Sequence, residues 1–261
     1  MPKVSIITVA FNSAATIGDT LRSVADQTHA DIEHIVVDGG SRDGTVDIVR
    51  QFGHVARCIS ERDRGIYDAM NKGLNLATGE VVGFLNSDDM LADRQTIAVI
   101  AGAFDFAEVD AIYGDLVLVD ALDTEVVRRY WRPGPHRPGI VATGWMAPHP
   151  TFYVRRQTLL DSGGFDLDYR LAADFDLELR LLEVMKIRTR YLPRLLVRMR
   201  MGGATTSGIR NVWRGNVEAA RSVRRQGYRG GLAFMATKVL QRLPQFLRKP
   251  APGSEQGGNP A

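Results

Sequence analysis

Two adjacent carboxylates, Asp88 and Asp89, close the run Val81-Val82-Gly83-Phe84-Leu85-Asn86-Ser87. Residues 81–85 are too few for an ordinary helix and suit a buried strand. In an open α/β sheet, ligands bind in the crevice outside the carboxyl ends of the strands, so acids placed there can hold a cation. Carboxylate oxygens suit the hard cations Mg²⁺ and Mn²⁺, which take phosphate oxygens as further ligands. One aspartate would suffice to cap the helix expected over residues 92–106. Two exceed what a cap needs, and the pair reads as a metal site. A third acid, Asp174, opens the helical stretch within residues 169–180, where the positive end of the helix dipole favours an ionised carboxylate. Residue type alone leaves Asp174 equally a helix cap or a general base. Asp176 stands four residues before Arg180, the spacing of an intrahelical ion pair. His149, between Pro148 and Pro150, reads by default as a structural or exposed histidine.

These side chains need a scaffold, and the hydrophobic pattern supplies one. A buried strand over residues 4–11 ends at Asn12, and a helix over 14–27 puts Ile17, Leu21 and Val24 on one face. A second strand, 32–37, closes in Asp38-Gly39-Gly40-Ser41-Arg42-Asp43-Gly44-Thr45, with Asp43 and Thr45 as turn and capping residues of a helix over 46–52. A strand over 55–60 and a helix over 67–75 follow. Such alternation predicts a parallel sheet with right-handed crossovers. Its strand ends align Asn12, Asp38 and Asp88 along one edge, a nucleotide-binding layout. No GxGxxG follows the first strand and no P-loop is present, so phosphate would be held by metal and side chains instead of a glycine cradle. Further on, strands are expected over 111–119 and 125–132, a loop over 133–139 and a helix over 155–162. Phe175, Leu179 and Leu182 fall on one core-facing side of the helix that Asp174 opens. Residues 202–207 read as a loop placed to close over phosphate.

The 261 residues are 44% hydrophobic and 24% charged, enough for a packed core. Residues 186–250 hold 16 basic side chains and one acidic, whereas residues 1–185 carry 17 basic against 28 acidic. A cationic C-terminal quarter on an acidic body points to an anionic partner, membrane or polyanion. Two helices, 209–227 and 232–247, are expected there, the second with Leu232, Met235, Ala236, Val239, Leu243, Phe246 and Leu247 on one face and a kink at Pro244. The lone cysteine, Cys58, excludes an intramolecular disulfide and falls in a strand, where a buried structural thiol is expected. The N-terminal residues lack the pattern of an export signal, and no uncharged apolar segment approaches the ~20 residues of a membrane span, so a cytoplasmic protein is expected.

Four motifs in this order and at these separations resemble the family 2 inverting glycosyltransferases of the GT-A fold. They are Val4-Ser5-Ile6-Ile7-Thr8-Val9-Ala10-Phe11-Asn12, Val36-Val37-Asp38-Gly39-Gly40-Ser41-Arg42-Asp43-Gly44-Thr45, residues 79–89, and Ala173-Asp174-Phe175-Asp176. The resemblance covers residues 3–205. Within it, Asp63-Arg64-Gly65-Ile66-Tyr67-Asp68-Ala69-Met70-Asn71-Lys72-Gly73 is similar to the subgroup that builds bacterial exopolysaccharides and cell-envelope glycolipids. It implies an α/β, Rossmann-like GT-A fold, a mixed and mainly parallel sheet flanked by helices. Residues 1–205 would form the glycosyltransferase domain, with a nucleotide-sugar half (1–90) and an acceptor half (91–205). A basic helical extension (206–250) and a disordered tail (251–261) would follow.

By the same resemblance Ala10, Phe11, Asn12 and Asp38 contact the donor's base and ribose, and Asn71, Lys72, Asn86 and Ser87 lie on the donor as well. Asp88 matches the metal-binding aspartate of the DxD motif with Asp89 beside it, Asp174 matches the general base, and His149 is a candidate for acceptor or phosphate contact. Three positions depart from the pattern: Asn86 replaces the first DxD aspartate, Gly39 a frequent second aspartate, and Met70 a frequent arginine.

The implied activity is a metal-dependent (Mn²⁺ or Mg²⁺) inverting transfer of sugar from a nucleotide-diphosphate sugar to a hydroxyl. The implied acceptor is lipid-linked, cell-envelope or exopolysaccharide, met at the inner face of the cytoplasmic membrane, with an anionic membrane as partner and no nucleic acid. The chemistry agrees: a cation neutralises the leaving diphosphate and one base takes the hydroxyl proton. Glycoside hydrolysis, with its paired carboxylates, does not fit. Two other readings stand beside it. A sugar-nucleotide-forming nucleotidyltransferase would want a glycine-rich, arginine-containing loop where Phe11-Asn12-Ser13-Ala14 stands; a non-catalytic nucleotide- or polyanion-binding module would have no use for Asp88, Asp89 and Asp174.

Overall fold

The structure, a computed structural model, describes residues 1–105, 108–202 and 209–229, together with Phe234 and Thr237. Among the described residues, the first elements are β1 (Val4–Ala10), α1 (Ile17–Ala25), β2 (Ile32–Asp38), α2 (Thr45–Val49), β3 (Val55–Ser60), α3 (Ile66–Leu76) and β4 (Val81–Phe84). They match the expected strands and helices to within a few residues. The chain continues through β5 (Met90–Leu91), α4 (Thr96–Ala103), β6 (Ala111–Val119), β7 (Val127–Trp131), β8 (Tyr153–Arg155), α5 (Arg156–Asp161), α6 (Ala173–Leu179), β9 (Thr189–Arg200) and α7 (Ile209–Arg225). A π-helical turn, Arg180–Val184, prolongs α6.

All strands join one mixed sheet in the order β3-β2-β1-β4-β8-β6-β9-β5, with β7 on β6. The pairs β1–β2, β1–β4 and β2–β3 are parallel, and β4 meets the second half of the sheet through antiparallel β8. β1 is buried along its whole length, as a central strand covered on both faces must be. Helices lie on both sides. On one, Ile7, Val9, Ile35 and Val37 pack with Tyr67, Met70, Phe165, Phe175 and Leu177; on the other, Val4, Ile6, Val81 and Leu85 pack with Ile97, Ile100, Phe104 and Tyr153. Met70, where the resembled family often has an arginine, is thus a core residue. At Gly83 a Cβ would lie 2.2 Å from the Tyr153 ring, so only glycine lets that ring cross β4.

Three expectations are corrected. Cys58 is exposed, because β3 is the outer strand of the sheet and most of it faces solvent. The helix expected from residue 92 starts at Thr96, because Met90 and Leu91 first pair with Arg198 and Val197 of β9. The third concerns β9, a twelve-residue strand where the sequence showed only the start of a cationic tail. Three of its arginines, and Arg188 just before it, pair with carboxylates of the body: Arg188 with Asp110 (3.3 Å), Arg194 with Asp93 (2.8 Å), Arg198 with Glu125 (3.3 Å) and Arg200 with Asp19 (2.6 Å). The loop expected over 202–207 apart from Gly202, the second tail helix apart from Phe234 and Thr237, and the terminal segment lie outside the described residues.

Candidate active site

The carboxyl ends of β1, β2 and β4 converge on one edge, where the loops are tied to one another. Asn12 adopts φ 50°, a left-handed conformation that asparagine tolerates. Its backbone N–H donates to Ser41 Oγ (2.7 Å) and its Oδ1 accepts from Arg42 N–H (3.0 Å). The N–H groups of Ser13 and Ala14 donate to Thr45 Oγ1 (2.8 Å) and Asp43 Oδ2 (3.0 Å). Asp43 and Thr45 therefore serve both the turn and the first loop. Asp38 is fully buried, accepting from Gly40 N–H (3.1 Å), Ser41 N–H (2.9 Å), Ser60 Oγ (2.6 Å) and Ser41 Oγ. It fixes the shape of the turn. Phe11, 64% exposed, leaves a bare aromatic face beside it, while Ala10 is buried at the strand end.

Sequence reasoning passed over Asp63 as a site residue. A Cβ at Gly39 would fall 2.5 Å from Asp63 Oδ2 and 3.4 Å from the Phe11 ring. Asp63 thus fills the space that an aspartate at position 39 would take. The signal was the paired departure: a missing acid at 39 and an acid in the loop after β3.

At the end of β4, Ser87 Oγ donates to Ser13 Oγ (2.8 Å), joining the first and fourth strand ends. Asn86 Nδ2 donates to Asp89 Oδ2 (3.0 Å), and Arg200 N–H donates to Asp89 Oδ1 (3.2 Å). Asp89 is 1% exposed with both oxygens engaged, while Asp88 is half-buried. Neither caps α4: Asp93 Oδ1 accepts from Gln95 N–H (2.8 Å) at that helix start. Arg200 spans the loop, its Nε on the Asp88 carbonyl (3.3 Å), Nη1 on the Ala121 carbonyl (3.1 Å) and Nη2 on Asp19 (2.6 Å). Burial holds the Asp88 carboxyl above its usual range; burial and then the Asp88 charge push Asp89 further up, with Arg200 offsetting part.

No third histidine, cysteine or carboxylate joins the pair among the described residues. That donor set still fits Mg²⁺ or Mn²⁺ in a nucleotide site, where one or two carboxylates hold the ion and water and phosphate oxygens complete its shell. Asp88 would be the direct ligand and Asp89 its neighbour.

Asp174 begins α6 without capping it. Tyr67 O–H (3.1 Å) and Phe175 N–H (2.8 Å) both donate to its Oδ1, and Oδ2 has no hydrogen-bond partner among the described residues. Asp176 is spent elsewhere: Arg180 Nε donates to it at 2.7 Å and Ser222 Oγ at 2.6 Å. The expected ion pair is present and Asp176 is structural. His149 stacks on Phe84 (5.6 Å, 20°) and meets the edge of Phe165 (5.6 Å), which stacks in turn on Tyr67 (5.5 Å). Both ring nitrogens are enclosed and unpartnered, and burial pushes the imidazole pKa down, against the pull of Asp174. His149 is therefore a buried ring in an aromatic cage near Asp174.

Glu178, one turn beyond Asp174 and 0% exposed, is another residue the sequence did not single out. Its Oε2 accepts from Ala147 N–H (2.8 Å), tying the His149 loop to α6, and burial raises its pKa well above the usual range. Asn71 does not face the strand ends, because Nδ2 donates to the Phe165 carbonyl (2.8 Å) and Oδ1 accepts from its N–H (2.9 Å). The Lys72 ammonium is paired with Glu61 (2.7 Å), just past β3.

Comparison with known proteins agrees with this layout. Residues 5–164 match the profile described as Glycosyl transferase family 2. A PGL/p-HBAD biosynthesis glycosyltransferase of Mycobacterium bovis is 33% identical over 205 residues, 73% of this chain and 74% of the relative. An uncharacterised glycosyltransferase of Mycobacterium tuberculosis is 32% identical over 192 residues, 69% of this chain and 68% of the relative. Among solved structures, residues 1–349 of S. aureus TarS with UDP-GlcNAc superpose with a TM-score of 0.67 at 19% identity, over 93% of this chain and 73% of that one. The mannosyltransferase PcManGT of Pyrobaculum calidifontis, with GDP-Man and Mn²⁺, gives 0.64 at 20% identity, over 92% and 69%. A longer TarS chain is covered over 43% of its length. These matches leave the nucleotidyltransferase and non-catalytic readings without support. The chain belongs to glycosyl transferase family 2 and is a glycosyltransferase with a GT-A-like mixed α/β sheet.

Proposed function

We propose that this protein moves a sugar, with inversion, from a nucleoside-diphosphate sugar to a hydroxyl of a lipid-linked or other cell-envelope acceptor. The observation that carries this reading is the division of carboxylates. Asp88 lies at the strand-end edge, and Asp174 presents an unpartnered Oδ2 from α6. Phe11 stacks on the donor base beside Asn12, and Asp63 takes up the acid's part that Gly39 cannot play, next to the turn shaped by Asp38. Asn86 and Ser87 line the diphosphate side, while Asn71 and Lys72 act indirectly through Phe165 and Glu61. A divalent cation, when bound at Asp88, neutralises charge on the departing diphosphate. Asp174 takes the acceptor's proton on Oδ2, with Oδ1 held by Tyr67 so that the base cannot swing away. A positioned base of this kind contributes about 10²–10⁴-fold. His149 packs in the neighbouring aromatic wall with Phe84 and Phe165. Residues 1–90 then form the donor half and 91–205 the acceptor half.

The glycolipid side of the reading is supported by the relative named for PGL/p-HBAD biosynthesis and by the basic C-terminal region. No described helix is long and apolar enough to cross a membrane. In this reading the acceptor is met peripherally, at the inner face of the cytoplasmic membrane, through the basic C-terminal region. Thermal shifts with UDP, GDP and dTDP, each with and without Mn²⁺, test the donor reading. One nucleotide should stabilise the protein more with Mn²⁺ than without, and no stabilisation by any of them would overturn it.

A further inference from the structure

α7 has two distinct faces. Ala219, Ala220, Ser222 and Val223 are buried against the body, and the Ser222 hydroxyl donates to Asp176 of α6. On the other side the 3.6-residue repeat brings Arg210, Trp213, Arg214, Val217, Arg221 and Arg224 into one stripe, all exposed. Trp213 is 60% exposed and Val217 39%. Arg221 lies over the Tyr169 ring (5.6 Å), and Arg225, off the stripe, pairs with Asp166 (2.8 Å). Arg210, Arg214 and Arg224 have no carboxylate partner among the described residues. Several β9 arginines are paired with body acids, so the unbalanced positive charge of the described tail collects on this stripe.

We infer that the exposed face of α7 docks on an anionic lipid surface. This deepens the reading above, on whose lipid-linked acceptor it rests. Charge complementarity selects an anionic partner, and the aromatic between Arg210 and Arg214 selects a bilayer over a soluble polyanion. A tryptophan with valine one turn on fits the headgroup boundary, flanked by arginines that reach phosphates. The placement suits the chemistry. Glu218, on the inner side of α7, accepts from the N–H groups of Arg170, Leu171 and Ala172, the turn that delivers Asp174. Docking α7 therefore brings the base side of the cleft toward the lipid surface from which an anchored acceptor hydroxyl would enter.

The test uses the full chain and flotation with phosphatidylcholine vesicles, with and without phosphatidylglycerol. Wild type should bind the anionic vesicles alone and release at 1 M salt, where screening shortens to about 3 Å. The triple variant Arg210→Gln, Arg214→Gln, Arg224→Gln removes no contact within the body and should lower the partition coefficient on the order of 100-fold. Brominated lipid should quench tryptophan emission in wild type and much less in Trp213→Phe. Equal binding by the triple variant, binding that survives high salt, or capture by heparin or by a second copy without vesicle binding would each overturn the inference. Nucleotide-induced thermal shifts on the same samples separate the two readings. Wild type that shifts with nucleotide but fails to bind anionic vesicles overturns the docking face alone, and wild type that binds the vesicles without any shift overturns the donor reading alone.

Discussion

Replacing Glu218 with alanine tests whether the basic extension is an appendage or part of the catalytic body. Its Oε2 accepts three backbone N–H groups, from Arg170 at 3.0 Å, Leu171 at 2.8 Å and Ala172 at 3.1 Å. A hydrogen bond to a charged group contributes about 1.5–3 kcal/mol in a buried setting. Here one oxygen serves all three donors, and water can replace the carboxylate at the exposed end, where Arg170 lies. Ala172, 3% exposed, is the donor left orphaned. The cost is then about 2–4 kcal/mol, which for a chain of this size lowers Tm by about 5–15 °C.

The loss should also reach the chemistry. Asp174 is two residues past Ala172, and a base displaced by a fraction of an ångström to about 1 Å loses up to about 10²-fold in rate. Thermal melts, nucleotide-shift titrations and steady-state transfer on Glu218→Ala and Glu218→Gln make the assay. Alanine should lower Tm and kcat with the nucleotide shift unchanged, and glutamine, which retains an acceptor, should fall between. A Tm within about 2 °C of wild type would refute the stability argument. A large fall in Tm with unchanged kcat would refute the claim that α7 braces the base.

Three further outcomes are expected. Asp88→Asn should leave Tm nearly unchanged, since the side chain makes no core contact, yet abolish the Mn²⁺ dependence of nucleotide binding; retained dependence, read by calorimetry, would move the metal elsewhere. Asp174→Asn keeps an oxygen for Tyr67 and should fold normally and bind donor, with transfer slowed about 10²–10⁴-fold in a sugar-transfer assay. The last concerns acid stability. Burial, then the charge of His54, pushes His34 down to about 3 from an ordinary 6.5, while Thr8 Oγ1 (2.9 Å) and His54 Nε2 (3.0 Å) contact its two ring nitrogens. Because the folded pKa is the depressed one, the unfolded chain binds the extra proton. Stability is full above about pH 6.5 and declines as pH falls toward 3, by about 2 kcal/mol at pH 5. His34→Gln should flatten that part of a denaturation-versus-pH curve, and an unchanged slope would count against it.

The sequence by itself determined the parallel first half of the sheet, β1 to β4. Apolar runs bounded by Asn12, Asp38 and Asp88 can only be buried strands, and strands that alternate with amphipathic helices must run parallel. The alignment of those residues on one edge follows from chain direction alone. The link from Asp176 to Arg180 was equally legible, because helix geometry sets an i, i+4 pair without help from the rest of the fold.

What the tertiary structure decided depends on contacts between residues far apart in the chain. β9 was hidden because its arginines alternate with apolar residues and read as tail charge; pairing with β6 and β5 makes it a strand of the body, and the carboxylates of Asp19, Asp93 and Glu125 balance its charge. The exposure of Cys58 follows from strand order, which no local pattern encodes. Asp88 and Asp89 are chemically identical in sequence. Arg200 and Asn86 make them different, engaging both oxygens of buried Asp89 and leaving Asp88 half-buried. Asp63 behind Gly39, and Glu218 under the turn before Asp174, likewise acquire their roles from neighbours brought by folding. Local periodicity fixes which way a side chain points along its own element, but burial, charge pairing and the choice between structural and chemical duty belong to the partner that packs against it.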